Sequence, residues 1–146
     1  MARPLMSGRA IVRTPVMLPC SPRSVREART LIRTDLASSA LPEEVVEDAL
    51  LVVSELVSNS LRHADALPGG RIGLAWWSRP RSVTVRVTDG GGPSHPQARP
   101  PATSAIGGRG LAMVAAVSAD WGVEQSPAET TVWAVVGDPD GGNGRR

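Results

Sequence analysis

Glu55-Leu56-Val57-Ser58-Asn59-Ser60-Leu61-Arg62-His63-Ala64 is the stretch that decides how this chain folds. Its apolar positions continue a stripe of Val45, Ala49, Val52, Val53, Leu56 and Ser60, the three-and-four spacing of an amphipathic helix. Leu41-Pro42-Glu43-Glu44 is the start, with acidic residues at the positive end of the helix dipole. The helix should end near Ala64-Asp65, before the turn cluster Leu67-Pro68-Gly69-Gly70. Glu55, Asn59, Arg62 and His63 stand three or four apart and share a face. Asn59 offers a neutral oxygen to a hard cation such as Mg²⁺. Glu55 can hold a metal-bound water or accept a proton, and Arg62 can reach a phosphate. Taken alone, the segment also fits the exposed polar face of any amphipathic helix.

Working outward, Arg9 to Leu18 suits a strand that Pro15 confines to an edge or splits in two. Ser21-Pro22 begins a helix whose apolar stripe is Val25, Ala28, Ile32 and Leu36, running to about residue 39. Downstream, Ile72, Leu74 and Trp76 alternate with polar or small residues, as do Val83, Val85 and Val87. Period two with one apolar face predicts a sheet covered on one side, and Arg79-Pro80 makes these two strands a hairpin. Residues 90–107 contain four prolines and read as a long functional loop. A short helix from Gly110 to Ala119 and a closing hairpin, 121–126 and 130–136, complete the pattern. We expect an α/β (α+β) fold, a two-layer sandwich of helices on a mixed, mostly antiparallel sheet. One domain at 9–136 lies between a flexible N-terminus, 1–8, and a flexible tail, 137–146.

Two further segments carry chemistry. Asp89 ends a strand pattern and is followed by Gly90-Gly91-Gly92. A carboxylate there can accept a hydrogen bond from an exocyclic amine, and glycines let a flat base approach the backbone. An ordinary Asp-Gly turn has the same sequence. Gly107-Gly108-Arg109-Gly110-Leu111 opens a helix, and backbone N–H groups at such an end bind phosphate. The segment lacks the Gly-Lys-Ser/Thr of a Walker loop. It follows a Pro-rich loop rather than a strand, so it is no Rossmann fingerprint.

Composition narrows the classes. The 146 residues are 41% hydrophobic, enough for an ordinary core. Net charge is +2, and all 16 basic residues are arginine, so any cationic side chain on a phosphate must be Arg. Arginines are scattered rather than striped, which argues against direct nucleic-acid binding; Arg26, Arg29 and Arg33 share a helical face that reads as solvated. No apolar run approaches a membrane span and none resembles an export signal. A lone Cys20 fits a reducing cytoplasm and reads as a small apolar residue near the first strand.

The three motif segments, in this order, resemble the N, G1 and G2 boxes of the Bergerat-fold ATPases. Glu-Leu-Val-Ser-Asn-Ser-Leu-Arg-His-Ala and Gly-Gly-Arg-Gly-Leu-Ala-Met-Val, with Asp120-Trp121-Gly122 and Thr131-Val132-Trp133 downstream, are similar to the small actinobacterial anti-sigma factor serine kinases of the RsbW type. The resemblance spans about residues 15–136. It implies that Asn59 binds Mg²⁺ and that Glu55 is the base that activates a target hydroxyl. It implies that Asp89 binds adenine N6 with Gly91 against the base, and that Thr131 supports adenine through a water. Gly108, Arg109, Gly110 and Leu111 would hold the phosphate end of ATP, with Arg62 as a further phosphate contact. Residues 93–107 would form a lid. Two positions depart from the family pattern: Pro93 closes the G1 box, and Glu129-Thr130 replaces a Gly-Lys pair. His63 fits the pattern as a structural residue, and His95 has no role in it.

The expected function is an ATP- and Mg²⁺-dependent regulator in the cytoplasm. It would bind a sigma factor and phosphorylate Ser or Thr on an anti-anti-sigma partner of the STAS type, with a homodimer possible. The Glu129-Thr130 departure supports an alternative, a nucleotide-gated partner-binding module without kinase activity. A histidine-kinase fragment would need a phosphoacceptor helix, and Arg26 to Leu36 contains no His.

Overall fold

The apolar faces of two alternating strands must be buried, and the fold is organised around covering them. The structure, a computed structural model, describes residues 14–92 and 108–140. The elements run β1 (Val16–Pro19), α1 (Arg23–Leu36), α2 (Glu43–His63), β2 (Arg71–Ser78), β3 (Ser82–Asp89), α3 (Gly108–Val117), β4 (Ser118–Gln125) and β5 (Thr130–Gly137). The strands form one five-stranded sheet in the order β1-β2-β3-β5-β4.

The sheet was expected to be mixed and mostly antiparallel, and every described pairing is antiparallel. The reason is local. β2–β3 and β4–β5 are tight hairpins, and the second docks with β5 inward against β3, Val85 opposite Ala134. β1 lies at the edge, as Pro15 requires.

α2 is the centre of the helical layer and packs on β3 and β5, with α1 and α3 on its flanks. Its stripe of Val45, Ala49, Val52, Val53 and Leu56 is buried, as are Ile72, Leu74, Val83, Val85, Val87, Val132, Ala134 and Val136 beneath it. Each such Val or Leu contributes roughly 1.5–3 kcal/mol. α1 is tied on by polar contacts as well. Arg29 donates to Leu50 O at 3.2 Å and to Ser54 Oγ at 2.9 Å. Trp76 Nε1 donates to Asp35 Oδ2 at 2.7 Å, which fastens β2 to the end of α1.

Boundaries moved where side chains compete with the backbone. α1 stops at Leu36, short of residue 39, because Ser39 turns back and its Oγ donates to Leu36 O at 2.7 Å. α3 spans Gly108–Val117, two residues earlier than expected. β4 then begins at Ser118 without a loop, and the register slips between Ser118 and Asp120. With no turn residue between the two elements, Ser118-Ala119 continue the helical pattern in sequence. The expected first strand shrinks to Val16–Pro19; its residues 9–13 lie outside the described ones. The proposed flexible N-terminus, 1–8, and residues 141–146 of the tail lie outside them too. Cys20 is half-buried directly after β1 and packs against the core. No described helix is long and apolar enough to cross a membrane.

Candidate functional site

The stripe of α2 stays buried to its last turns, but there its chemistry changes from apolar to polar. Asn59 is only 3% exposed and Ser60 only 4%. Asn59 is therefore not part of an exposed polar face. Its Oδ1 is buried and has no hydrogen-bond partner among the described residues. An orphaned buried acceptor costs about 1–3 kcal/mol. A helix carrying that cost for packing alone would do better with alanine, so the atom is available to a ligand.

Ser60, one residue on, meets the end of β3. Its Oγ donates to Asp89 Oδ2 at 2.6 Å, while the backbone N–H of Gly91 donates to Asp89 Oδ1 at 2.8 Å. Asp89 is 1% exposed, so both bonds act in a dry environment where a carboxylate needs them. The glycines after it serve close approach. A Cβ on Gly90 would lie 2.5 Å from Ala66 O, and Gly91 has φ +78°. The approach is stitched by backbone bonds. Gly90 N–H donates to Asp65 O at 2.7 Å, and Asp65 N–H donates to Gly91 O at 2.7 Å. The exit of α2 and the turn after β3 are thus one unit.

The third segment arrives with α3. A Cβ on Gly110 would lie 2.9 Å from Glu55 Oε1, so Glu55 reaches across from α2 to the first turn of α3. Gly108 and Arg109 begin that turn. Leu111 is 2% exposed and belongs to the hydrophobic core, so its side chain anchors the helix. Arg62 is exposed and His63 half-buried on the last turn of α2. The expected lid, 93–107, with Pro93 and His95, lies outside the described residues.

Thr131 is placed apart from this group. It pairs with Thr88 across β3 and β5, and the two Oγ1 atoms are 2.6 Å apart on the sheet face opposite the helices. The threonine opposite Asp89 is Thr130, whose Oγ1 would lie 3.1 Å from a Cβ on Gly91. Sequence reasoning passed over Thr130, although a signal was present. Val132, Ala134 and Val136 face the helices, so period two puts Thr130 on their side and Thr131 on the other. Ser60 was read only as packing, and nothing local distinguishes a packing serine from one aimed at a carboxylate 29 positions away.

The site thus joins four things: a carboxylate that accepts from Ser60 and Gly91, an orphaned amide oxygen, a second carboxylate, and the N-terminus of a ten-residue helix. Among the described residues no group of three or more His, Cys, Asp or Glu could hold a metal ion. A cation at Asn59 Oδ1 would need oxygens from its ligand and from water, which is how Mg²⁺ is commonly bound beside phosphates.

Such a frame, helices on one face of an antiparallel sheet with a polar cluster at the end of the central helix, defines an α/β two-layer ATPase-type fold. The sequence model of the histidine kinase-like ATPase domain matches residues 18–136. The chain belongs to that family. It is similar to the structure of the RsbU and RsbW domains of Rv1364c from Mycobacterium tuberculosis, with 19% identity and a TM-score of 0.59 over 85% of this chain. The match covers 32% of that longer chain. It is also similar to the histidine kinase domain of a blue-light activated histidine kinase from Erythrobacter litoralis, with 18% identity, a TM-score of 0.46, and coverage of 86% and 69%. Among curated proteins, no sequence matches it. The resemblance to this ATPase family read from the sequence is upheld by the family model, and the likeness to the RsbW-containing structure is one of fold.

Proposed function

We propose that the protein is an anti-sigma factor with serine/threonine kinase activity, which binds ATP with Mg²⁺ and phosphorylates a STAS-type anti-anti-sigma partner. The observation that carries this reading is the buried, unpartnered Oδ1 of Asn59, one helical turn from Glu55. Asn59 would hold Mg²⁺, which neutralises phosphate charge when bound. Asp89 would accept from the adenine amine, with Gly91 beneath the base. Thr130 fits the role of supporting Asp89 better than Thr131, because it lies on the same sheet face. Gly108, Arg109 and Gly110 would hold phosphates at the start of α3, and exposed Arg62 could add a contact. Glu55 would accept the proton of the incoming hydroxyl. The Rv1364c structure, which carries RsbU and RsbW domains together, supports a partner-switching setting. A cytoplasmic location follows from that role.

The test begins with calorimetric titration of ATP, with and without Mg²⁺, into wild type and Asn59→Ala. Mg²⁺-dependent binding that the variant loses supports the pocket. Labelled ATP with candidate anti-anti-sigma proteins then tests transfer. Glu55→Ala should slow transfer by about a hundredfold or more; an unchanged rate would remove the base assignment.

A second reading, a nucleotide-gated binding module without transfer, is favoured by Glu129. It is exposed and directly precedes Thr130, so it brings negative charge to the edge of the site. Label on a partner Ser or Thr removes this second reading.

A further inference from the structure

We infer that Ser60 is a positioning residue that fixes the Asp89 carboxylate for an exocyclic amine, and so helps the site select adenine over other bases. The inference rests on the nucleotide reading above and assigns a role to a residue which that reading leaves as packing. Ser60 has one hydroxyl proton. A helical serine commonly spends it on the carbonyl one turn earlier. Here the proton goes to Asp89 Oδ2 at 2.6 Å, a short charge-assisted bond with both side chains at least 96% buried. Gly91 N–H already restrains Oδ1 at 2.8 Å. Donors on both oxygens hold the plane of a carboxylate more firmly than a donor on one. A fixed plane sets the direction of the remaining lone pairs, and an amine must approach along one of them. Asp89 also ends β3, so its backbone is held by the ladder to Thr130. Ser60 therefore adds what the strand does not supply, a donor from the helical layer that restrains rotation of the carboxylate.

The test uses the full-length protein and two nucleotides, ATP and purine riboside triphosphate, which lacks the amine. Binding of both is measured by calorimetry for wild type, Ser60→Ala and Ser60→Thr. Ser60→Ala should weaken ATP about tenfold, the worth of one bond to a charged group. Its binding of the purine analogue should match wild type, since that ligand makes no demand on Asp89. Ser60→Thr retains the hydroxyl and should restore discrimination. Equal weakening of both nucleotides means that Ser60 only maintains the fold, and overturns the inference. Unchanged ATP binding in Ser60→Ala overturns it as well, while wild-type ATP binding leaves the nucleotide reading standing. Wild type that binds neither nucleotide removes both.

Discussion

The two halves of α2 lie in one helix and on one sheet, yet they bury different chemistry. The first half presents Val45, Ala49, Val52 and Val53, all 8% exposed or less and all apolar. The last turns present Asn59 and Ser60, as deeply buried and both polar. The first half is explained by its neighbours within the chain. The last turns are explained only partly so, since Ser60 finds Asp89 while Asn59 Oδ1 finds nothing. At equal depth of burial, chemistry separates a region that stabilises the fold from one that, on the function proposed above, gives up stability for a ligand. Four substitutions break or sharpen that contrast.

The largest effect belongs to the apolar half. Leu50 is fully buried and packs in the core cluster. Leu50→Ala should cost about 2–5 kcal/mol in urea unfolding. Nucleotide affinity of the remaining folded protein should be unchanged. A large loss of affinity at intact fold would show that the two halves are not separable.

Gly90 tests the seam between them. Its absent Cβ lets the turn after β3 lie against Ala66 O, a backbone atom that cannot swing aside. Gly90→Ala should therefore cost about 1–3 kcal/mol by forcing a backbone shift. It should also weaken ATP binding, because Asp65, Gly90 and Gly91 move together. Unfolding and calorimetry on the same sample check both. Lost stability with intact affinity would detach the seam from the site.

Asn59→Ala inverts the pattern of Leu50→Ala. Removing an orphaned acceptor should leave stability within about 1 kcal/mol of wild type. Mg²⁺-dependent ATP binding should fall by about a hundredfold or more, beyond what loss of a metal's outer-shell partner costs. A strongly destabilised variant would mean that Asn59 serves the fold.

The contrast also explains what the sequence alone makes legible. The apolar stripe of α2 and the alternation in β2 and β3 are periodic, and periodicity reports burial directly. The order of layers and the elements that carry Glu55, Asn59 and Asp89 followed from it, while the grouping of these residues with Gly110 rested on the motif resemblance. Three things did not follow. Thr130 and Thr131 are adjacent and identical, so only the strand register separates them. Ser60 bonds to a residue on another element, and its role exists only once α2 and β3 are packed. The start of β4 was hidden because Ser118 follows α3 with no turn residue between them. Each unread feature concerns pairing between elements, whereas each legible one concerns a pattern within one.

The smallest effect lies in the first half of α2, at the half-buried Asp48. Asp48 has its pKa raised above the ordinary 3.8 by desolvation, with repulsion from Glu44 and then Glu47 adding to it. A carboxyl with a raised folded pKa binds its proton more tightly in the native state than in the unfolded chain. Stability from this residue therefore falls as pH rises from about 3.8 through the raised value, and the deficit persists at neutral pH. Asp48→Asn removes the charge and leaves the shape, so it should be slightly more stable than wild type at pH 7. That advantage should fade as pH drops through the same window, where Asp48 in the wild type takes up its proton. Thermal unfolding of both proteins from acid to neutral pH measures it. Nucleotide affinity should not change, in contrast to Asn59→Ala on the same helix. Parallel curves for the two proteins, with no convergence in acid, would show that repulsion at this end of α2 is screened by solvent.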